Sequence, residues 1–383
     1  MRISVLFLSP GSWDEVHFDI HTLIFPVPGI IPSDLNDCAL NNTHCGLGSQ
    51  QVVAGLVSVR VSLKGTSLMK QRTIVVVVAS LAVILVAAVL LEPTQTVSGR
   101  IAGDTFLAGR PSRYWAKQLQ GGPSASADAL AILEKSGAEA IPVLSEIYQQ
   151  SPGEARSELR WTALELLAKK SPLPAAAQST MLRALGDPDP HVRSVAIAAV
   201  PKAGVPAEDV VPKLKELLRG EHSVVAARAL SEYRAAAASA LPELVAAMHD
   251  TKLPTEARWN AARTIGKIGP KAVSTVPDLI DEMDDPADTL REHAAEAIGD
   301  IGPVAAELGV PALRKALTDH YVKVRRDSVR SLGYIGADAR PAAEDMLLLL
   351  KDPEALVREA AEKALKIVAP ELLPKETKPA DKK

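Results

Sequence analysis

Apolar residues spaced three, four and seven positions apart recur along most of this chain. The pattern is clearest in three segments that begin at Ala257, Leu290 and Val324 and read ARWNAARTIGKIG, LREHAAEAIGDIG and VRRDSVRSLGYIG. Such spacing is typical of one face of an α-helix. Because the segments begin 33 and 34 residues apart, they predict a repeat architecture.

We number each repeat from the arginine near the start of these segments, which is position zero. The same register extends in both directions at intervals of 30 to 35 residues, with zero positions at Ser126, Arg160, Arg193, Ser223, Arg258, Arg291, Arg325 and Arg358. We expect two further positions to be buried in every repeat. Position plus three is small, at Ala129, Ala163, Ala196, Ala226, Ala261, Ala294, Ser328 and Ala361. Position plus seven is aliphatic, at Leu133, Leu167, Val200, Leu230, Ile265, Ile298, Leu332 and Leu365.

Glycine and proline predict where the helices of each repeat end and begin. Five repeats have a glycine at plus eleven, at Gly137, Gly204, Gly269, Gly302 and Gly336. Glycine readily adopts the left-handed backbone that ends a helix. Six have a proline at plus sixteen to plus twenty, at Pro142, Pro212, Pro242, Pro277, Pro311 and Pro341. Since proline fits the first turn of a helix, each repeat predicts two antiparallel helices of about a dozen residues.

An acid lies six residues before position zero in five repeats that have arginine at zero. The acids are Glu154, Asp187, Asp285, Asp319 and Asp352, which precede Arg160, Arg193, Arg291, Arg325 and Arg358. These residues are candidate structural residues, together with Arg258, which lies at zero without an acid six residues before it. An acid in the turn can cap the incoming helix, and the arginine fork can bond a carboxylate or a turn carbonyl of the adjoining repeat. We therefore expect a ladder of contacts that sets the angle between layers, because the pattern recurs too often for a catalytic array.

Composition excludes several classes of function. The chain has 43 Lys and Arg against 46 Asp and Glu, for a formal net charge of −3. Binding to nucleic acid needs a concentrated basic face, so we expect no nucleic-acid partner. Both cysteines, Cys38 and Cys45, lie in the N-terminal segment, so the repeats have no disulfide framework and no thiolate metal site.

The N-terminal part differs from the repeats. Residues 1–68 show no sustained period and are expected to be irregular; a start at Met69 would make them an over-extended reading of the gene. Residues 69–92 contain an apolar run, 74–91, that reaches the length of a membrane span. The preceding Lys64, Lys70 and Arg72 then place the repeats on the extracytoplasmic side. A buried core helix and a cleaved signal-like segment are the alternatives.

The rest of the chain divides by composition. Residues 93–110 are expected to form a linker and 371–383 a disordered charged tail. Residues 111–370 carry the repeats. Trp161 and Trp259 both lie at plus one, at the border of the buried stripe. They are candidate anchors for a protein partner, or else they cover the edge of a neighbouring helix.

The segments DPDPHVR at 187–193 and DPEALVR at 352–358, with the Gly-x-Ile-Gly endings that begin at 266, 299 and 333, resemble HEAT repeats. The resemblance is strongest to the short HEAT-like class first noted in phycobilin lyases, and it covers residues 111–370. It implies an all-α fold in which about eight helix pairs stack into a right-handed superhelix, preceded here by one transmembrane helix. It also implies a protein-binding scaffold.

Two enzymatic alternatives come with this resemblance: a lyase-like and a hydroxylase-like activity. The hydroxylase of this fold binds two iron ions through His-Glu pairs, whereas this chain has the reverse order at Glu221-His222 and Glu292-His293. The histidines of the repeats occupy different positions, so we expect no metal site. We likewise expect no catalytic residues, no cofactor and no small-molecule ligand. The preferred hypothesis is a non-catalytic, membrane-anchored scaffold that binds a protein along the repeat face.

Overall fold

The computed structural model describes residues 2–9, 12–25, 54–62, 77–78, 80–84, 86–89 and 91–373. The chain forms two compact units, Met1–Gln150 and Ser151–Lys383. Part of the first 68 residues and residues 374–383 of the predicted tail lie outside the described residues.

The first unit contains a three-stranded antiparallel sheet. Its strands are β1 (Arg2–Ser9), β2 (Ser12–Phe25) and β3 (Ala54–Ser62), in the order β1-β2-β3. Val5 is paired with Val16, and Ile20 with Val59. This differs from the irregular structure expected for residues 1–68. The three segments are rich in β-branched and aromatic residues, which favour strands and leave no helical period to detect.

The predicted membrane segment lies partly outside the described residues. Residues 77–78, 80–84 and 86–89 are helical, and Leu81, Val83 and Ile84 expose more than half of their surface. Within the described parts of the chain, no helix has both the length and the apolar character that crossing a bilayer requires.

The predicted linker is ordered. It contains α1 (Thr96–Ala102) and a short hairpin of β4 (Phe106–Leu107) and β5 (Arg110–Pro111). Asp104 accepts hydrogen bonds from the Nε and Nη2 atoms of Arg113 at 2.5 and 2.9 Å, and the backbone N–H of Thr105 donates to Glu146 at 2.6 Å. These bonds attach the segment to α2 (Ser112–Leu119) and α4 (Ile141–Gln149).

Trp115 packs at the start of the helical part of the first unit. Its side chain is buried, its indole N–H donates to the carbonyl of Leu107 at 3.2 Å, and Tyr114 packs edge-on against it. The first repeat follows with α3 (Pro123–Lys135), which carries Ser126, and α4.

In the second unit, helices that carry a zero position alternate with helices that do not. The first kind, which we call ladder helices, are α5 (Ser157–Ala168), α7 (Pro190–Ala199), α9 (Ser223–Tyr233), α11 (Thr255–Ile268), α13 (Asp288–Ile301), α15 (Val322–Ile335) and α17 (Ala355–Val368). The second kind, the cover helices, are α6 (Ala175–Ala184), α8 (Ala207–Glu216), α10 (Leu241–His249), α12 (Val276–Glu282), α14 (Ala306–Ala316) and α16 (Ala343–Leu348). The predicted repeat of two helices is confirmed.

The buried positions follow the predicted register. Every plus-three and plus-seven residue named above exposes 2% or less of its surface. Small residues at plus three allow neighbouring helices to approach, and aliphatic residues at plus seven fill the space between layers. One short sequence pattern therefore specifies a buried stripe in every repeat.

Glycines at plus eight bring the later ladder helices into close contact. A Cβ atom on Gly299 would lie only 2.6 Å from the Cα atom of Ser331 on the next ladder helix, so glycine is required there. The Ser331 hydroxyl donates to the carbonyl of Ala295 at 2.8 Å, and Thr264 donates to Ala227 at 2.9 Å. These hydroxyl bonds join consecutive ladder helices beside the apolar core.

All five predicted helix-ending glycines have positive φ, as expected. The proline prediction is only half right. Pro142, Pro242 and Pro277 lie in the first turn of a cover helix, at N1 or N2. In contrast, Pro212 and Pro311 lie inside α8 and α14, and Pro341 lies in a 3₁₀ segment. The two α-helices begin earlier than predicted, with acidic residues in their first turns that suit the positive end of the helix dipole.

Arg234 occupies the plus-eleven position that is glycine in five other repeats. Its φ of 48° and ψ of −130° resemble the 88° and −157° of Gly302. Residues with a Cβ atom are strained in this region.

We expect Arg234→Gly to raise the free energy of unfolding by about 1 kcal/mol. Gly302→Ala should lower it by a similar amount, through backbone strain alone, since no atom lies within 4 Å of the new methyl group. Urea denaturation followed by circular dichroism measures both changes. A loss of stability in Arg234→Gly would contradict the assignment of strain.

Candidate functional site

The arginines at position zero bond in two directions. Arg291 donates from Nη1 to the carbonyl of Asp285, in the turn before its own helix, at 2.8 Å. Its Nε and Nη2 atoms donate to the carboxylate of Asp319, in the next repeat, at 2.9 and 3.1 Å. The guanidinium thus joins two consecutive turns in a bidentate geometry.

The same contact, which we call a rung, recurs along the second unit. Its Arg–carboxylate N–O distances are 2.9 Å for Arg160–Asp187 and 2.8 Å for Arg325–Asp352. Arg258 makes a variant of the rung: its Nη2 atom donates to Asp285 at 2.8 Å and to Glu282 at 2.9 Å, and its Nε atom donates to the carbonyl of Met248. Arg358 donates to the carbonyls of Asp352 and Pro353 in its own turn. The side chain of Glu154 lies outside the described residues. Arg193 likewise donates to the carbonyls of Asp187 and Pro188 in its own turn. Apart from Glu154, the structure brings the predicted ladder residues together.

Each aspartate of a rung also accepts a hydrogen bond from the backbone N–H two residues later. Asp187 accepts from Asp189 at 3.0 Å, and Asp319 accepts from Tyr321 at 2.7 Å. Asp285 and Asp352 do the same with Ala287 and Glu354. This geometry needs the short side chain of aspartate, so the acid holds the turn and the arginine at once.

Two rungs lower the pKa of their carboxylates, those of Asp352 and Asp319. The hydrogen bond from Arg325 is the main cause that lowers the pKa of Asp352. Burial raises the pKa of Asp319, but hydrogen bonds from Arg291 and from the N–H of Tyr321 outweigh it, and the net pKa is lowered. Both pKa directions are those of a structural ion pair, and neither favours a proton-transfer role near neutral pH.

The ladder is interrupted around Ser223. Arg193 does not reach an aspartate of the next repeat; it donates from Nε to Nε2 of His222 at 2.9 Å and from Nη2 to Glu221 at 2.7 Å. His222 is buried, and its Nδ1 lies 3.1 Å from the hydroxyl of Ser194. Because Nε2 accepts from the arginine, Nδ1 carries the ring proton. Burial, followed by the nearby charge of Arg193, lowers the pKa of His222.

The candidate tryptophans lie at the boundary between core and surface. Trp161 is half-buried and packs edge-on against His191, with ring centres 5.4 Å apart. Trp259 is also half-buried and stacks on His293 at 4.6 Å. Each histidine belongs to the next ladder helix or its first turn. Both tryptophans therefore cover the edge of the next ladder helix, and both remain partly exposed.

Sequence reasoning missed an apolar groove between α15 and α17. Its walls include Tyr334, Leu356 and Ile367, which are 52%, 60% and 59% exposed, and its volume is about 370 Å³. Tyr334 and Ile367 both lie at plus nine, where earlier repeats have charged residues at Lys169, Lys202, Glu232, Lys267 and Asp300. This change from charged to apolar residues is the sequence signal that could have revealed the groove.

The histidines of the second unit contact separate partners. His249 lies 2.6 Å from Glu282, which also bonds Arg258, and His293 lies 2.9 Å from Glu296. Among the described residues, no group of three or more His, Cys, Asp or Glu side chains is arranged to hold a metal ion. The two reversed pairs serve different contacts, His222 with Arg193 and His293 with Trp259.

Comparison with known proteins gives one matching family model. A model described as HEAT repeats matches residues 153–232 and 276–366. The break between the matched segments follows the interrupted rung and includes Lys252, which stands where other repeats have an acid.

Proteins similar to this chain include one curated relative and two solved structures. The chain is 30% identical over 132 residues to deoxyhypusine hydroxylase of Aspergillus niger, an alignment that covers 33% of this chain and 38% of the hydroxylase. A crystal structure of a Kap121p mutant has a TM-score of 0.51 at 14% identity and covers 67% of this chain and 33% of that one. A structure of Kap95p with RanGDP has a TM-score of 0.49 at 16% identity, with 68% and 41% covered. The chain thus spans less than half the length of each, and the likeness to Kap121p supports the fold alone.

The His222 contact predicts a pH-dependent stability. Since the folded chain resists protonation of His222 while the unfolded chain binds a proton below its ordinary pKa of 6.5, stability is full above that pH and decreases as the pH falls. His222→Gln, which keeps an acceptor for Arg193, should show a smaller loss of stability between about pH 7 and pH 5. Urea denaturation at each pH measures this. His320→Gln, at an exposed histidine, is the matched control. Equal pH dependence in His222→Gln and the wild type would contradict the assignment.

Proposed function

We propose that this chain, whose residues 153–232 and 276–366 match a model of HEAT repeats, is a non-catalytic scaffold that binds a protein partner along its ladder helices. We further propose that residues 74–91 anchor it in a membrane, with the repeats on the extracytoplasmic side. No nucleic acid, cofactor or small-molecule ligand is part of this proposal.

One observation carries the scaffold proposal. Along the ladder helices, the recurring charged residues form buried ion pairs between repeats, whereas two large aromatic side chains stay partly exposed. Arg160 and Arg258 at position zero are buried in rungs. The adjoining Trp161 and Trp259 are half-buried on supporting histidines. Partly exposed aromatic residues held rigidly by their neighbours are typical binding hot spots.

The repeat architecture suits such a role. Each layer contributes one ladder helix to a continuous face, so a partner can contact several layers at once. The residues at plus one, plus five and plus nine differ from repeat to repeat, while those at zero, plus three and plus seven recur. Because the exposed residues vary while the buried residues recur, each layer can offer a partner different contacts, which supports specific recognition.

Two observations support the membrane proposal. The run from Ile74 to Leu91 contains no charged residue. Its described part is helical, with exposed apolar side chains at Val77, Leu81, Val83 and Ile84. Exposed apolar residues all along a helix favour burial in lipid or in a partner.

We expect Trp161→Ala and Trp259→Ala each to weaken the partner complex by about tenfold or more, because loss of a hot-spot residue costs about 2 kcal/mol. The helical circular dichroism signal should stay unchanged. Crosslinked affinity capture from membranes with the full chain as bait would identify the partner, and titration would measure its Kd. Leu348→Ala on cover helix α16, at a highly exposed site, is the control. Global unfolding of both tryptophan variants would show that these residues serve the core alone.

We expect the chain to resist alkaline extraction from membranes. Leu81→Lys combined with Val83→Lys should release it into the soluble fraction, since each charge in the middle of a span costs about 2.5 to 3.5 kcal/mol. Protease added to sealed inverted vesicles should leave the repeats intact. Extraction of the wild-type chain by alkaline carbonate would rule out the anchor, and digestion of the repeats would reverse the orientation.

The similarity to deoxyhypusine hydroxylase gives a second candidate function, a hydroxylase-like enzyme. The reversed order of the Glu-His pairs argues against this candidate. His222 contacts Arg193, and His293 stacks on Trp259. Iron analysis of the purified full chain separates the two candidates. Stoichiometric bound iron would favour the enzyme over the scaffold.

A further inference from the structure

We infer that the groove between α15 and α17 is a docking site for an amphipathic helix of a partner protein that carries acidic residues beside its apolar stripe. We call it the C-terminal groove and define it by Arg326, Arg330, Tyr334, Leu356, Lys363 and Ile367. The inference rests on the proposed scaffold function and specifies one site and one partner chemistry for it.

The apolar side chains of the groove fit a helix in length. Leu356 and Ile367 lie eleven residues apart on α17, which is about 16 Å along a helix axis. Tyr334 faces the same groove from α15. A partner helix of about three turns could contact all three with residues on one face.

The floor of the groove consists of small residues. Gly333 on α15 and Ala360 and Ala364 on α17 line it, between the larger side chains of the walls. Small residues on the floor let a third helix approach the two ladder helices closely. The shape is therefore that of a helix-in-groove site rather than of an enclosed ligand pocket.

The exposed charges at the rim are mostly positive, because two of the nearby acids, Asp327 and Glu292, are buried. Arg326 and Arg330 share the carboxylate of Asp327, at 2.6 and 2.8 Å, and Arg326 also lies 3.3 Å from Glu292. The side chains of Asp327 and Glu292 are 4% and 8% exposed, whereas those of Arg326 and Arg330 are 25% and 42% exposed. The buried acids fix the arginines in place, and the arginines present their charge to solvent.

Lys363 extends this positive rim, and Glu359 is the one acid that lines the groove. Opposite charge on the partner gives both orientation and selectivity. Residues 374–383 of this chain contain four lysines against Glu376 and Asp381, so they match the groove poorly in charge. An acidic partner helix matches it in both charge and shape.

Two synthetic peptides test the proposal. Both are helix-forming, about sixteen residues long, and carry the same leucine stripe; one has glutamates beside the stripe and the other has lysines. Fluorescence anisotropy measures their binding to the full chain at low and high salt. We expect the glutamate peptide to bind at least about tenfold more tightly at low salt, and high salt to reduce the difference.

Variants of the groove locate the binding site. Leu356→Glu removes an apolar contact and adds a repulsive charge, and Lys363→Gln removes one rim charge without altering the apolar walls. We expect about tenfold or greater loss of glutamate-peptide affinity for the first and a severalfold loss for the second. Leu348→Glu, at an exposed leucine on cover helix α16, is the matched control and should bind as the wild type does.

Three results would overturn the proposal. They are equal affinity for the two peptides, binding that Leu356→Glu leaves unchanged, and self-association of the full chain through this groove in place of peptide binding. Failure here is distinguishable from failure of the scaffold function, because partner capture that depends on Trp161 and Trp259 uses other repeats and another measurement.

Discussion

The stacking of the repeats depends on one interaction, the fork of a buried arginine across two consecutive turns. Its carbonyl bonds hold the turn of its own repeat, and its carboxylate bonds hold the turn of the next. Isolated buried charges are expensive, but the Nε, Nη1 and Nη2 atoms of Arg291 all donate to acceptors, and Asp319 is itself fixed by the backbone N–H of Tyr321. The apolar core supplies the main driving force for folding, and the rungs specify the register in which layers meet.

The Arg–Asp ladder is interrupted between Arg193 and Lys252, and the chain is irregular in the same region. Three irregular features occur close together in the chain: the histidine that replaces an aspartate at Arg193, the strained backbone of Arg234, and Lys252 in place of an acid. There α9 and α11 are joined by the Thr264–Ala227 bond and the exposed Arg228–Glu256 pair. His222 accepts a hydrogen bond from Arg193 only while Nε2 is unprotonated, so we expect the stability of this junction to decrease as the pH falls.

Because the ladder uses the recurring charges, the proposed partner binding depends on the positions beside them. Plus one carries the tryptophans, and plus nine changes from charged residues to Tyr334 and Ile367 in the repeats of α15 and α17. The same helix thus serves two purposes on different faces. Its buried face repeats from layer to layer, while its outer edge is free to vary, and for that reason an unbroken fold can carry a local binding surface.

The sequence by itself determined the repeat length, the buried stripe, the helix-ending glycines and the residues of the rungs, because each depends on contacts that recur at a fixed spacing. It did not determine where α8 and α14 begin, since helix starts are set by the whole first turn rather than by one proline. Only the tertiary structure decided that Glu221 and His222 contact Arg193 where other repeats have an aspartate, that the tryptophans pack on histidines of the next repeat, and that Tyr334, Leu356 and Ile367 share a groove. These arrangements join residues of different repeats, and their spacing does not recur along the chain. A repeating sequence pattern therefore could not predict them.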